Sequence, residues 1–171
     1  TLFGHNIPFY NLTTILLHLL NALLLYVLVN RISGKNHLAL LISFLWGISS
    51  HYSEVTLWAA ARLDSFLMIF LILALLVFDD SSNKKTNGLS TQLKVILLAL
   101  CAIGSKESWI LMPVIALAFI LLIKRQGIME SIKSTLSLFV LLAVYLGYFI
   151  IFPLLWGKAS PTGYAEFELS T

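Results

Sequence analysis

A chain of 171 residues that is 59% hydrophobic and 11% charged, with a mean hydropathy of +0.93, has too little polar surface to cover a water-soluble fold, so lipid is its expected solvent. The net charge of +3 is spread between apolar runs without a basic face, which excludes nucleic acid as a partner. Cys101 is the single cysteine and sits in an apolar run, so no intrachain disulfide forms.

The expected fold class is all-α, a polytopic transmembrane helical bundle of about six segments within a single transmembrane domain over 1–171. Its helices are predicted near 8–30, 38–60, 64–79, 92–104, 107–124 and 134–157. In the first, Asn11, His18 and Asn21 form one polar stripe at helical spacing, and interhelical hydrogen bonding is its expected role. Asn11-Leu-Thr13 matches a glycosylation sequon but lies too near the apolar core to be assigned as one. The stretch from Asp79 to Gly88 reads as a solvated loop, with Asp79-Asp80 as a solvated helix end. Pro113 and Pro153 fall inside apolar runs, where a kink or widened cavity is expected. Three of the apolar runs are shorter than the roughly 20 residues a bilayer core requires, so their polar ends must continue as helix or line a protected cavity. Thr1 is preceded by no methionine and followed by no signal-peptide pattern, and a piece of a longer chain is the expectation.

Alternating helices put Arg31, Lys35, Lys84, Lys85, Lys94, Lys124, Arg125 and Lys133 on one side and Arg62, Lys106 and Lys158 on the other. The positive-inside rule makes the first side cytoplasmic and the second periplasmic, lumenal or exterior. Tyr10, Tyr52, Trp58, Trp109, Trp156 and Tyr164 fall near the outer ends, as an interfacial aromatic belt would.

Three charged groups meet on that outer side: His51 with Glu54, Arg62 with Asp64, and Ser105-Lys106-Glu107. Ionisable side chains at membrane depth are costly and usually face a cavity or one another. Helical spacing would put Glu54, Trp58 and Arg62 on one face with His51 beside Glu54. Plainer roles compete. Asp64 can cap a helix starting at Ser65, and Ser105 can cap the next helix with Glu107 in its first turn. His51 and Glu54 can pair locally at the interface. Lys106 at a helix start opposes the dipole, so it either meets an anion such as a lipid phosphate or snorkels to water.

The ordered motifs Phe3-Gly4, Tyr10-Asn11, His18-x-x-Asn21 through Tyr26, His51-x-x-Glu54, Ala61-Arg62-x-Asp64 and Ser105-Lys106-Glu107 followed by Pro113 resemble the membrane glycosyltransferases of the GT-C fold. Among these, the likeness is to the O-mannosyltransferase-like proteins with transmembrane and tetratricopeptide-repeat parts, and to their bacterial relatives. It spans about Phe3 to Pro113. The resemblance implies transfer of a mannosyl or related hexosyl group from a polyprenyl-phosphate sugar to a protein or glycan acceptor, outside the cytoplasm, in a bacterial inner membrane or the endoplasmic reticulum membrane. By resemblance, Arg62 and Lys106 hold the donor phosphate. His51, Glu54, Asp64 and Glu107 line the acceptor cavity, where the carboxylates position the acceptor, a divalent cation or the basic residues. Tyr52 stands where that pattern has proline, no tetratricopeptide repeat is visible, and the expected catalytic acid would lie upstream of Thr1, so the isolated chain is expected to be inactive. Two other classes compete: a transporter or channel segment using the same charges, and a non-catalytic structural subunit. A transporter would place its polar groups near the midplane in repeated halves, whereas these cluster at one surface.

Overall fold

The computed structural model describes residues 7–49, 62–84 and 88–156, and among them every element is helical. In chain order these are α1 (Ile7–Ser33), α2 (Asn36–Gly47), α3 (Arg62–Lys84), α4 (Leu89–Ile103), α5 (Glu107–Ile123) and α6 (Ile128–Trp156). Residues 50–61, over which the second helix was expected to continue, lie outside the described residues.

The helix ends follow from local chemistry. Gly34, at φ +65°, closes α1 by donating its N–H to the Asn30 carbonyl at 2.8 Å, a left-handed conformation that suits glycine. A two-residue turn then starts α2, and the pair packs as a hairpin. Within α5 the winding changes twice: a 3-10 turn over Glu107–Leu111, an α segment over Met112–Ala118 and a π turn over Phe119–Ile123. Pro113 does not kink a continuous helix. It sits in the first turn of the α segment, where its missing N–H costs little. The π turn ends on Arg125 at φ +52°, with the Gln126 N–H reaching back to the Ile120 carbonyl at 3.3 Å.

The largest departure from the sequence reading is at the end of α3, which runs through Asp79 to Lys84 where a solvated loop was expected. Asp79 is not solvated: it is 1% exposed and ion-paired to Lys124. Asn83, one turn on, donates to Asp79 at 3.5 Å and accepts from Lys124 at 3.1 Å, while Gln126 donates to Ser82 at 3.0 Å. Tertiary partners thus keep a polar stretch helical that has no apolar face of its own.

α1 packs on α2 and α3, α3 on α4 and α5, and α6 on α4 and α5. The Lys106–Asp64 and Lys124–Asp79 pairs join the two starts and the two ends of α5 and α3, so these helices run parallel. The core gathers Ile72, Phe78, Trp109, Met112, Ile120 and Leu138 around Ala74, Ala99, Ala102 and Ala116, small residues that let helix backbones approach. Polar residues share the interior with this apolar core, and large apolar residues cover the outside. Thr14, His18, Asn21, Ser43, Asp79, Ser131 and Thr135 are buried, whereas Leu16, Leu19, Leu23, Leu40, Phe44, Val140 and Val144 are exposed. Buried hydroxyls satisfy themselves on their own helix, as Ser43 does on the Ala39 carbonyl at 2.8 Å and Thr135 on the Ser131 carbonyl at 3.0 Å. Six membrane segments were expected; among the described residues two helices are long and apolar enough to cross a bilayer, α1 over Asn11–Ser33 and α6 over Ile128–Phe149, while α2, α4 and α5 are apolar but shorter.

Candidate functional site

The site forms where the start of α3 meets the α4–α5 junction. Asp64 lies in the first turn of α3, which begins at Arg62, so it does not cap a helix starting at Ser65 but favours the helix dipole from within. α4 ends at Ile103, and Ser105 turns its hydroxyl back to the Cys101 carbonyl at 2.9 Å. Ser105 therefore closes α4 and does not cap α5. The cap position belongs to Lys106 in an extended conformation, with Glu107 exposed in the first turn behind it. That backbone carries the Lys106 ammonium onto Asp64, where Nζ donates to both carboxylate oxygens at 2.5 and 2.7 Å. The two side chains are 37% and 38% exposed, so the pair stands at the border between protein and surroundings.

Behind the pair opens a cavity of about 420 Å³ whose lining includes Asp64, Lys106, His18, Trp46, Met68 and Trp109. One polar edge and a mostly apolar body give it the character of a site for an amphipathic ligand. His18 stacks on Trp46 with ring centroids 4.7 Å apart, and its Nε2 lies 3.1 Å from the Gly47 carbonyl, which ties α1 to α2. Asn21 donates to the Ser65 carbonyl at 3.0 Å and ties α1 to α3. Of the polar stripe of α1, His18 and Asn21 thus make the interhelical bonds that the spacing suggested. The Asn21 Oδ1 and the Trp109 Nε1 are buried without a hydrogen-bond partner, so neither atom faces the cavity's open space.

Of the six residues singled out in the sequence, the structure joins Lys106 and Asp64 directly. Arg62 begins α3 and is half-buried outside the cavity lining, and Glu107 is exposed outside it as well. His51 and Glu54 lie outside the described residues. Among the described residues no three His, Cys, Asp or Glu side chains gather into a metal-binding group.

Sequence reasoning missed Trp46 altogether and misread Trp109. Trp109 is not an interfacial belt residue: it is 0% exposed and packs edge-on against Tyr145 at 5.0 Å. A signal was present, because Trp109, Met112, Ala116 and Ile120 recur at helical spacing as one core stripe. Trp46 gives no such signal, since its place in the cavity comes from the α1–α2 hairpin. Comparison with protein-family models, with curated proteins and with solved structures finds no match to this chain.

Proposed function

We propose that this chain is the membrane-embedded part of a GT-C type glycosyltransferase that takes a mannosyl or related hexosyl group from a polyprenyl phosphate and passes it to a protein or glycan acceptor on the non-cytoplasmic side. The observation that carries the reading is the Lys106 ammonium at the polar edge of a largely apolar cavity, an arrangement matched to an anionic head on an isoprenoid tail. The many large apolar side chains on the outside, with polar groups buried among the core residues, support a chain of six membrane helices. Ion-pairing places Lys106 at the opposite end of α3 from Lys124, as the positive-inside assignment requires if Lys124 is cytoplasmic.

In this reading the donor phosphate exchanges with the Asp64 carboxylate on Lys106. Asp64 holds the ammonium in place until the donor arrives, while Arg62, outside the cavity lining, leaves Lys106 as the donor's cation. As the bond from sugar C1 to the phosphate oxygen breaks, its electron pair moves to the phosphate, where the Lys106 ammonium neutralises the growing charge. A carboxylate takes the proton of the attacking acceptor hydroxyl, while Glu54 and Glu107 position the acceptor or a divalent cation.

The test is binding of a polyprenyl-phosphate sugar to the chain in nanodiscs. Lys106→Ala is expected to weaken binding about ten- to a hundredfold, the worth of a charge-assisted hydrogen bond. Unchanged binding would make the Lys106–Asp64 pair a structural tie and sink the donor site.

A further inference from the structure

At the opposite end of the bundle, α3 and α4 border a second cleft of about 660 Å³. Because the two helices are joined by a short connection and run side by side, their sequences grade in step from apolar to polar. Leu73 and Val77 on α3, and Leu97 on α4, line its inner part, while Ser81, Thr91 and Lys94 line its outer part with Arg31 from the last turn of α1. Eight residues separate Leu73 from Ser81, about 12 Å of helix, so the gradient is as long as the head and upper chain of a lipid.

The charges in this cleft are unbalanced. Lys106 and Lys124 each hold a carboxylate, whereas among the described residues neither Arg31 nor Lys94 makes an ion pair or hydrogen bond, and both are exposed. Asp80, the carboxylate in the lining, is engaged with neither of them. Two cations from different helices converge on a cleft that holds one carboxylate, itself engaged elsewhere, so positive charge is in excess, and the apolar inner wall, with Leu97 exposed, calls for acyl chain rather than water.

We infer that this cleft binds an anionic phospholipid, with its headgroup phosphate between Arg31 and Lys94 and an acyl chain along Leu73, Val77 and Leu97. The site stands on the membrane reading of the chain and is independent of sugar transfer.

The experiment titrates dioleoylphosphatidylglycerol, with phosphatidylcholine as the neutral comparison, against the detergent-solubilised chain and counts bound lipid by native mass spectrometry. The wild type is expected to retain the anionic lipid in preference. Arg31→Gln and Lys94→Gln each lower its affinity about fivefold and together about 25-fold, while Lys133→Gln, an exposed cation outside this cleft, changes nothing. Equal retention of both lipids overturns the site, as does a double variant that still binds like the wild type. An equal loss in Lys133→Gln replaces it with diffuse surface charge, and displacement of the lipid by millimolar inorganic phosphate replaces the lipid with a soluble anion.

Discussion

Two lysine–aspartate pairs of the same chemistry have opposite weights in this protein because they sit in different surroundings. Lys106 and Asp64 are more than a third exposed, so their pair contributes at most about 1 kcal/mol to folding and its carboxylate can be exchanged for another anion. Lys124 and Asp79 are 14% and 1% exposed, and removing one partner strands a buried charge. Lys124→Met should therefore destabilise the folded chain by about 3–5 kcal/mol in denaturant titrations in detergent, with most of the loss recovered by adding Asp79→Leu. No recovery in the double variant would show that the lysine acts through packing instead. Lys106 was legible because a lysine at a helix start needs an anion. Asp79 was not, because Asp-Asp-Ser-Ser-Asn has the composition of a turn, and nothing local announces the lysine that holds it in the helix.

At the scale of elements, the turn after α1 and the end of α5 use the same backbone conformation with different residues. Gly34 has open space around its missing Cβ, so Gly34→Ala would carry only the conformational penalty of a left-handed alanine, about 1 kcal/mol. Arg125 already carries that penalty, and Arg125→Gly should return a similar amount. Thermal unfolding of the two variants checks both signs, and a stabilising Gly34→Ala would show that the turn relaxes. Pro113 was expected to kink or widen its apolar run and instead opens the α segment of α5. The π turn was invisible, since Phe-Ile-Leu-Leu-Ile is as apolar as any α segment and its widening is imposed by neighbouring helices rather than by residue type.

For the whole molecule, composition alone led to helices, because hydrophobic runs of this density leave the helix as the way to satisfy the backbone, and every element among the described residues is helical. Which helices touch was not legible, since an apolar face packs as readily against lipid as against another helix. The apolar exterior leads to a direct expectation: the chain should stay with the membrane pellet through an alkaline carbonate wash and leave it only with detergent. Release by carbonate would mean a peripheral attachment and would remove the basis for both lipid-facing sites.

The double attachment of α5 to α3 turns the neighbouring helix into a ruler. Asp64 and Asp79 are fifteen residues apart, about 22 Å along α3, and Lys106 and Lys124 must meet both marks at once. Sliding by one helical turn would lose both pairs together, so α5 has one register. Its spacing is eighteen residues, about 27 Å in a uniform α-helix; the 3-10 turn stretches that length and the π turn shortens it, so the reach of the two lysine side chains makes up the difference. A single alanine inserted between Val114 and Ile115 removes no side chain, yet it rotates Lys124 by roughly 100° away from Asp79. Its cost in stability should match that of Lys124→Met, and an insertion tolerated without loss would mean that the π turn is elastic enough to absorb it.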